Sequence, residues 1–258
     1  MIYVYKNINV YYNDTGQGKA VVLLHGFLET SEMWNAIVSE LLKTNRVICI
    51  DLLGHGQTGS LGYIHTMEAM SDVVYAVLNH LRIDKAKFVG HSMGGYVALA
   101  LAEKHAQLFD GLCLMNSTFE ADDAERKILR ARANDMAKIN YENLVHMSFT
   151  NLFAAESRIR CKQDFDMALH IAQQTSVQGY IAAQKGMAIR PDRYHALKNV
   201  SGKKLIVIGK KDTLINREYI QNKIKNTTIA CEELSEGHMS HIENKSELTY
   251  ILIRFVEN

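Results

Sequence analysis

Five short runs of almost unbroken apolar residues recur along the chain. They are AVVLLHG (20–26), RVICID (46–51), AKFVG (86–90), GLCLMN (111–116) and KKLIVIG (203–209). A strand with one face in water alternates apolar and polar residues, whereas unbroken runs are typical of parallel strands that are covered on both faces. The runs therefore predict a largely parallel sheet between two layers of helices.

Stretches with helical periodicity separate these runs, at 31–42, 66–81, 93–105, 217–225 and 243–256. The second has one apolar stripe at the spacing of a helix that packs on a sheet, formed by Met67, Met70, Val73, Val74, Val77, Leu78 and Leu81. Residues 2–13 alternate around Asn7 and indicate an antiparallel hairpin. The order of strands and helices predicts an α/β fold with a doubly wound, mostly parallel sheet.

One region interrupts this order, because 118–197 contains no buried-strand run. Its patterns predict four helices, at 124–139, 141–153, 163–174 and 177–187. We therefore expect a core formed by 1–117 and 198–258, with 118–197 inserted as a helical cap. The large apolar side chains of the cap can form a pocket roof or hold the cap on the core: Met136, Met147, Phe149, Phe153, Met167, Tyr180 and Met187. Its arginines can meet a substrate carboxylate or stay solvated: Arg126, Arg130, Arg132, Arg158, Arg160, Arg190 and Arg193.

Composition narrows the classes of partner. The 258 residues are 47% hydrophobic, enough for a large core, and 29 basic against 28 acidic residues give a net charge of +1. Such a balance provides no broad field for nucleic acid or an anionic membrane surface, so we expect a small-molecule partner.

The location of the protein is inferred from its cysteines and its amino terminus. Four cysteines lie far apart without a C-x-x-C pair, which favours buried free thiols in a reducing compartment. The start of the chain lacks the basic and apolar pattern of a signal peptide, and no segment has the length of a membrane span. We expect a cytoplasmic protein.

The sequence FVGHSMGGYVALA (88–100) places Ser92 between an apolar run and a stretch that favours a helix. A serine hydroxyl is a poor nucleophile at neutral pH, so catalysis needs a base and donors for an oxyanion. In a G-x-S-x-G turn, small residues such as Gly90 and Gly94 allow a sharp bend that exposes the serine. Glycine-rich turns of this kind also occur without a catalytic serine, so the pattern alone leaves both interpretations open.

The base would be one of 11 histidines. His91 is adjacent to Ser92, but neighbouring side chains on a strand end point apart, which disfavours it. His25 and His55 follow strands and are expected to orient loops. His238 follows the strand-like TTIACEEL, and a histidine that leaves the carboxyl end of a strand faces the same crevice as Ser92. His238 is therefore the leading candidate for the base.

A third residue, a carboxylate, should fix the histidine tautomer. Asp212 ends the run KKLIVIGKKD and is the leading candidate, whereas the competing position after GLCLM carries Asn116. The alternative interpretation of Asp212 is a solvated turn residue.

Five motifs in register give the chain a recognisable pattern. They are HGF (25–27), DLLGHG (51–56), GHSMGG (90–95), GKKD (209–212) and GHMSHIE (237–243). In this order, over nearly the whole chain, they resemble the α/β-hydrolase fold superfamily, whose members carry a cap in the position of the inserted region. Leu53 departs from the proline that many relatives have, which affects the stiffness of that loop.

The resemblance implies a catalytic triad of Ser92, Asp212 and His238, with an oxyanion hole from the backbone N–H groups of Phe27 and Met93. It implies a serine hydrolase that cleaves a small carboxylic ester or a related acyl substrate through an acyl-serine. The serine argues against the branches that use an aspartate nucleophile. Carbon–carbon bond hydrolysis, a lyase of the menaquinone pathway type, and ligand sensing without catalysis remain as alternatives.

Two motifs that suggest cofactors have simpler interpretations. GHGQTG (54–59) matches G-x-G-x-x-G, but SLGYIHTM follows before helical periodicity begins, whereas the helix of a dinucleotide site begins inside the motif. His238 and His241 have H-x-x-H spacing, but the sequence has no H-E-x-x-H and no evident third ligand. We expect neither a cofactor nor a metal.

Overall fold

The computed structural model describes residues 1–257. Its eight strands are β1 (Ile2–Tyr5), β2 (Ile8–Gly16), β3 (Lys19–Leu24), β4 (Asn45–Ile50), β5 (Ala86–His91), β6 (Phe109–Met115), β7 (Lys203–Gly209) and β8 (Ile229–Leu234). They form one sheet in the order β1-β2-β4-β3-β5-β6-β7-β8. The pairs β1–β2 and β2–β4 are antiparallel, and all others are parallel. The predicted α/β fold, with its mostly parallel sheet and its amino-terminal hairpin, is confirmed.

Helices cover both faces of the sheet. Those of the core are α1 (Asn35–Leu41), α2 (Met67–His80), α3 (Met93–His105), α10 (Arg217–Ile224), α11 (Ser240–Glu243) and α12 (Lys245–Glu257). Along β3, Val22 and Leu24 pack with α2 and α3, whereas Val21 and Leu23 pack with α1 and α12. Alternate side chains of a strand point to opposite faces, so two covered faces require the unbroken apolar runs of the sequence.

The segment between β6 and β7 is helical throughout. It contains α4 (Ala124–Ala137), α5 (Tyr141–Thr150), α6 (Ala155–Arg160), α7 (Lys162–Gln173), α8 (Val177–Ala188) and α9 (Tyr194–Asn199). The two helices that the sequence did not predict, α6 and α9, have six residues each, which is too short for a clear apolar stripe. We call α4–α9 the insertion; the boundaries 118–197 for a separate cap stay a prediction.

The insertion packs on the loops at the carboxyl end of the sheet. A third apolar cluster joins Phe149 and Tyr180 of the insertion to Leu28, after β3, and Met239, after β8. Of the side chains proposed for a pocket roof, Met136, Met147 and Met167 are instead more than 45% exposed. The insertion is therefore held over the sheet by aromatic side chains and not by these methionines.

Two further expectations concern the cysteines and the membrane. All four cysteines are free; Cys49 and Cys113 are buried, but Cys161 and Cys231 are only partly so. Among residues 1–257, no helix combines the length and the apolar character that crossing a membrane requires.

Candidate active site

Ser92 lies in the sharp turn between β5 and α3, with a left-handed φ of 48°. Neighbouring backbone atoms lie so close to the two flanking glycines that neither position has room for a side chain. A Cβ on Gly94 would lie 2.2 Å from the carbonyl oxygen of Leu24, and a Cβ on Gly90 would lie 2.5 Å from the nitrogen of Gly95. The G-x-S-x-G pattern therefore reflects a turn in which no larger side chain fits at either glycine.

Hydrogen bonds from the neighbouring strand hold this turn. The N–H of Ser92 donates to the carbonyl oxygen of Met115 at 3.0 Å, and the hydroxyl of Ser117 donates to the carbonyl oxygen of Ser92 at 2.7 Å. Ser117 follows β6, so its role depends on the pairing of β5 with β6 and was not visible in the sequence. The strained backbone of Ser92 is thus fixed from both sides.

Three residues predicted as site residues lie in one hydrogen-bonded chain. His238 Nε2 lies 2.9 Å from Ser92 Oγ, and His238 Nδ1 lies 2.7 Å from Asp212 Oδ2. Ser92 follows β5, Asp212 follows β7 and His238 follows β8, and these parallel strands end at the same edge of the sheet. The side chains of His238 and Asp212 are buried, at 3% and 0% exposure.

Asp212 is held as an anion by donors on both oxygens. The N–H of Leu214 donates to Oδ1 at 2.8 Å, and Asn116 Nδ2 donates to Oδ2 at 3.1 Å and to the carbonyl oxygen of Gly237 at 3.2 Å. Burial alone would raise the pKa of Asp212, but His238 and these donors outweigh it and lower that pKa. The sequence disfavoured Asn116 as the third residue because its side chain is an amide, but this amide orients the carboxylate of Asp212.

The loop after β3 (residues 25–30), which we call the β3 loop, is fixed by His25. The N–H of Leu52 donates to His25 Nε2 at 2.8 Å, so the ring proton lies on Nδ1 and donates to the carbonyl oxygen of Gly26 at 2.7 Å. This bond sets the plane of the peptide that carries the N–H of Phe27. Within residues 1–257, neither this N–H nor that of Met93, at the start of α3, has a backbone or side-chain acceptor.

His91 is buried and does not contact the hydroxyl of Ser92. Its Nδ1 lies 2.6 Å from Glu29 Oε2, and its Nε2 lies 3.0 Å from the carbonyl oxygen of His238. Both ring nitrogens are therefore occupied, and His91 is not placed to take the proton of Ser92, in agreement with the expectation that neighbouring side chains point apart. Nothing in the sequence singled out Glu29, because its partner lies 62 positions away.

A cavity of about 600 Å³ lies between Ser92 and the insertion. Part of its lining is apolar, from Phe27, Leu129, Leu152, Tyr180, Met187 and Met239. Another part is charged and includes Asp122, Arg126, Arg130 and Arg190. The cavity can hold a small molecule with an apolar part and a polar or charged group.

The charged part of the lining is a buried network around Asp122. Its two oxygens accept from Arg130 Nε at 2.5 Å and from Arg190 Nη1 at 2.6 Å. Arg130 also donates to Gln184 at 2.6 Å, and the guanidinium of Arg190 stacks on Tyr96, 4.0 Å from the ring centroid. Two cations against one anion leave the network with one excess positive charge.

Replacing Asp122 with alanine is expected to lower the free energy of unfolding by about 3–5 kcal/mol, because it leaves two cations without their anion. The side chain of Arg190 is 5% exposed, so its charge depends on Asp122 for compensation. Urea denaturation measures the change. Asp135→Ala is the matched control on α4, because Asp135 is 74% exposed and its pair with Lys138 is expected to contribute about 0.5 kcal/mol or less. Equal losses in the two variants would contradict the network.

Buried neutral histidines predict loss of stability in acid. Burial lowers the pKa of His55 to about 3 and of His241 to about 4, and it also lowers the pKa of His25 and of His65. The unfolded chain binds these protons near pH 6.5, so the stabilisation is complete above that pH and is lost as pH falls toward the folded-state pKa values. We expect each such group to cost about 1.4 kcal/mol per pH unit below about pH 6.

Urea denaturation between about pH 7 and pH 5 tests this expectation. Glu29 raises the pKa of His91, so the contribution of His91 is lost only as pH rises above about 6.5, and the histidines with lowered pKa determine the sign of the slope below about pH 6. His55→Gln should reduce the slope, whereas His170→Gln, on the exposed side of α7, should leave it unchanged. A stability that does not change over this range would contradict the assignment of neutral buried histidines.

Comparison with known proteins identifies the family. The sequence matches the family model of the α/β hydrolase fold over residues 19–245. It is 27% identical to 3-oxoadipate enol-lactonase 1 of Acinetobacter baylyi over 259 aligned positions, which cover 98% of this chain and 94% of that protein. The chain belongs to the α/β hydrolase fold family, and the matched region includes all three residues of the hydrogen-bonded chain at Ser92.

Solved structures agree with this family. An esterase from Thermogutta terrifontis, solved with malate bound, is 28% identical and superposes with a TM-score of 0.89 over 97% of this chain and 93% of that one. An enol-lactonase from Burkholderia xenovorans superposes with a TM-score of 0.91 over the full length of both chains, at 22% identity, and supports the fold. This α/β hydrolase thus has esterases and enol-lactonases among its relatives.

Proposed function

We propose that this protein is a serine hydrolase of small carboxylic esters, lactones included. The observation that carries the proposal is the chain of hydrogen bonds from Asp212 through His238 to Ser92, at 2.7 and 2.9 Å, at the wall of a cavity. An ester and a lactone present the same carbonyl to a nucleophile, and the relatives described above include an esterase and an enol-lactonase.

The reaction proceeds through an acyl-serine. Ser92 Oγ attacks the carbonyl carbon of the ester while its proton moves to His238 Nε2, and Asp212 stabilises the imidazolium. The tetrahedral intermediate then expels the alkoxide, which takes the proton from His238. A water molecule gives a proton to His238, attacks the acyl-serine and releases the acid, so that Ser92 regains its proton.

The oxyanion of the intermediate is stabilised by the N–H groups of Phe27 and Met93. Both belong to backbone positions that the fold fixes, the first through the bond of His25 to Gly26 and the second through the start of α3. Donors that are oriented before the reaction cost no reorganisation when the charge develops. His25 is therefore a positioning residue for one of the two donors.

The test combines covalent labelling with turnover. A fluorophosphonate probe should label the wild-type protein at Ser92, and peptide mass mapping locates the adduct. A series of p-nitrophenyl esters of increasing acyl length, together with γ- and δ-lactones followed by acid release, measures the preferred acyl group. No label and no turnover of any ester or lactone in the wild-type protein would refute the proposal.

The cavity arginines give a reason to test a second reaction class. Carbon–carbon bond hydrolysis and the lyase reaction can use the same three residues, and an arginine that points at Ser92 would favour either of them. Arg130 and Arg190 line the cavity and are each paired with Asp122, whereas Arg126 donates to the carbonyl oxygen of Leu214. Labelling at Ser92 without turnover of any ester or lactone would favour carbon–carbon bond hydrolysis or the lyase reaction. Turnover of p-nitrophenyl acetate that is lost in Ser92→Ala would exclude a protein that only binds its ligand.

A further inference from the structure

The carboxylate of Glu29 lies in the β3 loop and is 5% exposed. One of its oxygens, Oε2, accepts two hydrogen bonds of 2.6 Å, from the N–H of Gly26 and from His91 Nδ1. The other oxygen, Oε1, has no hydrogen-bond partner among residues 1–257 and lies 3.6 Å from His241 Nε2. Glu29 therefore connects the β3 loop to the last residue of β5, next to Ser92.

The ring of His91 continues this connection to the loop after β8 (residues 235–239), which we call the histidine loop. Its Nε2 lies 3.0 Å from the carbonyl oxygen of His238, and a carbonyl oxygen only accepts, so Nε2 carries a proton. A second proton lies between His91 Nδ1 and Glu29 Oε2. Two protons on the ring and an ionised carboxylate satisfy all three contacts at once.

The surrounding charges favour the ionised pair. Burial disfavours a charged imidazole, but the charge and the hydrogen bond of Glu29 outweigh it and raise the pKa of His91 above its ordinary value. Burial likewise disfavours the carboxylate, but His91 lowers the pKa of Glu29 to about 2. The neighbouring rings of His25 and His241 have lowered pKa values and are neutral near pH 7.

We propose that Glu29 and His91 form a buried carboxylate–imidazolium pair that positions the β3 loop and the histidine loop around Ser92. The pair holds the N–H of Gly26, one residue before the proposed oxyanion donor, and the backbone of the proposed base. The partners lie 62 and 147 positions apart in the chain, so no local structure fixes their spacing. A misplacement of about 1 Å between reacting groups can cost about 10²-fold in rate.

Both are positioning residues, since neither contacts the reacting atoms, and their effect on catalysis rests on the proposed serine hydrolase. The existence of the pair does not depend on that function. Its tests therefore include one readout that needs no substrate, so that a failure of the pair and a failure of the proposed function can be told apart.

The first test is ¹⁵N NMR of the histidine side chains in the wild-type protein at about pH 8, where an unperturbed histidine is neutral. We expect both ring nitrogens of His91 to carry protons, with the resonances assigned by their absence in His91→Gln. The sample contains a chelator, because Glu29, His91 and His241 place ligand-type atoms within 4.8 Å of one another. A ring of His91 with a single proton would overturn the ion pair.

The second test is Glu29→Gln, which keeps the shape and removes the charge. Both contacts of Glu29 go to the same oxygen, Oε2. If the amide nitrogen of the variant took this position, two donors would face each other, because the N–H of Gly26 also donates. If the amide oxygen took it, the imidazolium of His91 would stay buried without a counter-ion. The variant therefore loses at least one bond. We expect kcat to fall about 10- to 100-fold and KM to change little, because Glu29 does not border the cavity at Ser92.

Two substitutions of His91 separate the two bonds. His91→Asn can still donate to Glu29 from the position of Nδ1, and His91→Gln can still donate to the carbonyl oxygen of His238 from the position of Nε2. We expect both to lower kcat. Combining His91→Gln with Glu29→Gln should cost less than the product of the single losses, because the two residues act as one unit.

Lys87→Met is the matched control. Lys87 lies at the other end of β5, is 6% exposed, and donates to the carbonyl oxygens of Phe255 and Val256. Its loss should lower the melting temperature but leave kcat unchanged. A folded Glu29→Gln with the kcat of the wild-type protein would overturn the positioning role. If Glu29→Gln does not fold, the NMR experiment and His91→Asn still decide the proposal.

Discussion

Ser92→Ala is expected to lower kcat on p-nitrophenyl esters by about 10⁴- to 10⁶-fold, to the level of the remaining electrostatic effects. The variant removes the nucleophile and leaves the turn intact, because the φ of 48° and the bonds of the backbone to Met115 and Ser117 do not involve the hydroxyl. Alanine is also small enough for the space between β5 and α3. The melting temperature should therefore stay close to that of the wild-type protein.

The measurement is burst and steady-state kinetics of the wild-type protein and the variant, with fluorophosphonate labelling of both. A burst of p-nitrophenol followed by slower turnover would report the acyl-serine directly. Ser39→Ala provides a control serine, since its exposed hydroxyl on α1 donates to the carbonyl oxygen of Ala36, away from Ser92. It should keep the label and most of the activity. A variant Ser92→Ala that retains the turnover of the wild-type protein would exclude Ser92 as the nucleophile.

Asp212→Asn is expected to lower kcat by about 10⁴-fold with little change in KM. The carboxylate accepts on both oxygens, from His238 and Asn116 on Oδ2 and from the N–H of Leu214 on Oδ1. An amide must place its NH₂ group against one of these donors. If it donates to His238 Nδ1, the ring proton moves to Nε2, and Nε2 can no longer accept the proton of Ser92.

The prediction is checked by measuring kcat and KM of this variant between about pH 6 and pH 9, together with its melting temperature. Asp72→Asn is a suitable control, because Asp72 is 46% exposed on α2 and its carboxylate contacts only Lys104. It should retain full activity. An Asp212→Asn variant with more than about one tenth of the wild-type kcat would contradict the role of Asp212 in fixing the tautomer.

The pattern of the sequence was sufficient for the sheet and for most of its helices. The runs that predicted strands coincide with β3, β4, β5, β6 and β7 to within two residues, because strands covered on both faces must be apolar at every position. The helices of the insertion were harder to predict. Its helices α6 and α9 were missed, and helix length, not composition, was the reason.

The positions of the charged residues of the insertion were even harder to predict from the sequence. Seven arginines were equivalent in the sequence, yet the side chains of Arg190 and Arg193 are buried, at 5% and 3% exposure, whereas that of Arg160 is 54% exposed. Which arginine meets Asp122 depends on the packing of α4 against α8. That packing is set by contacts between residues 54 to 68 positions apart, which no local pattern records.

The order of apolar runs and motifs was enough to predict the fold class, the turn that carries Ser92, and the candidates Asp212 and His238, because parallel strands bring their carboxyl ends to one edge. The contacts that hold these residues became visible only in three dimensions. They include the hydrogen bond from Asn116 to Asp212 and the contact of Glu29 with His91. Buried charges need partners at hydrogen-bond distance, and such partners come from whichever strand lies next in space, not next in the chain.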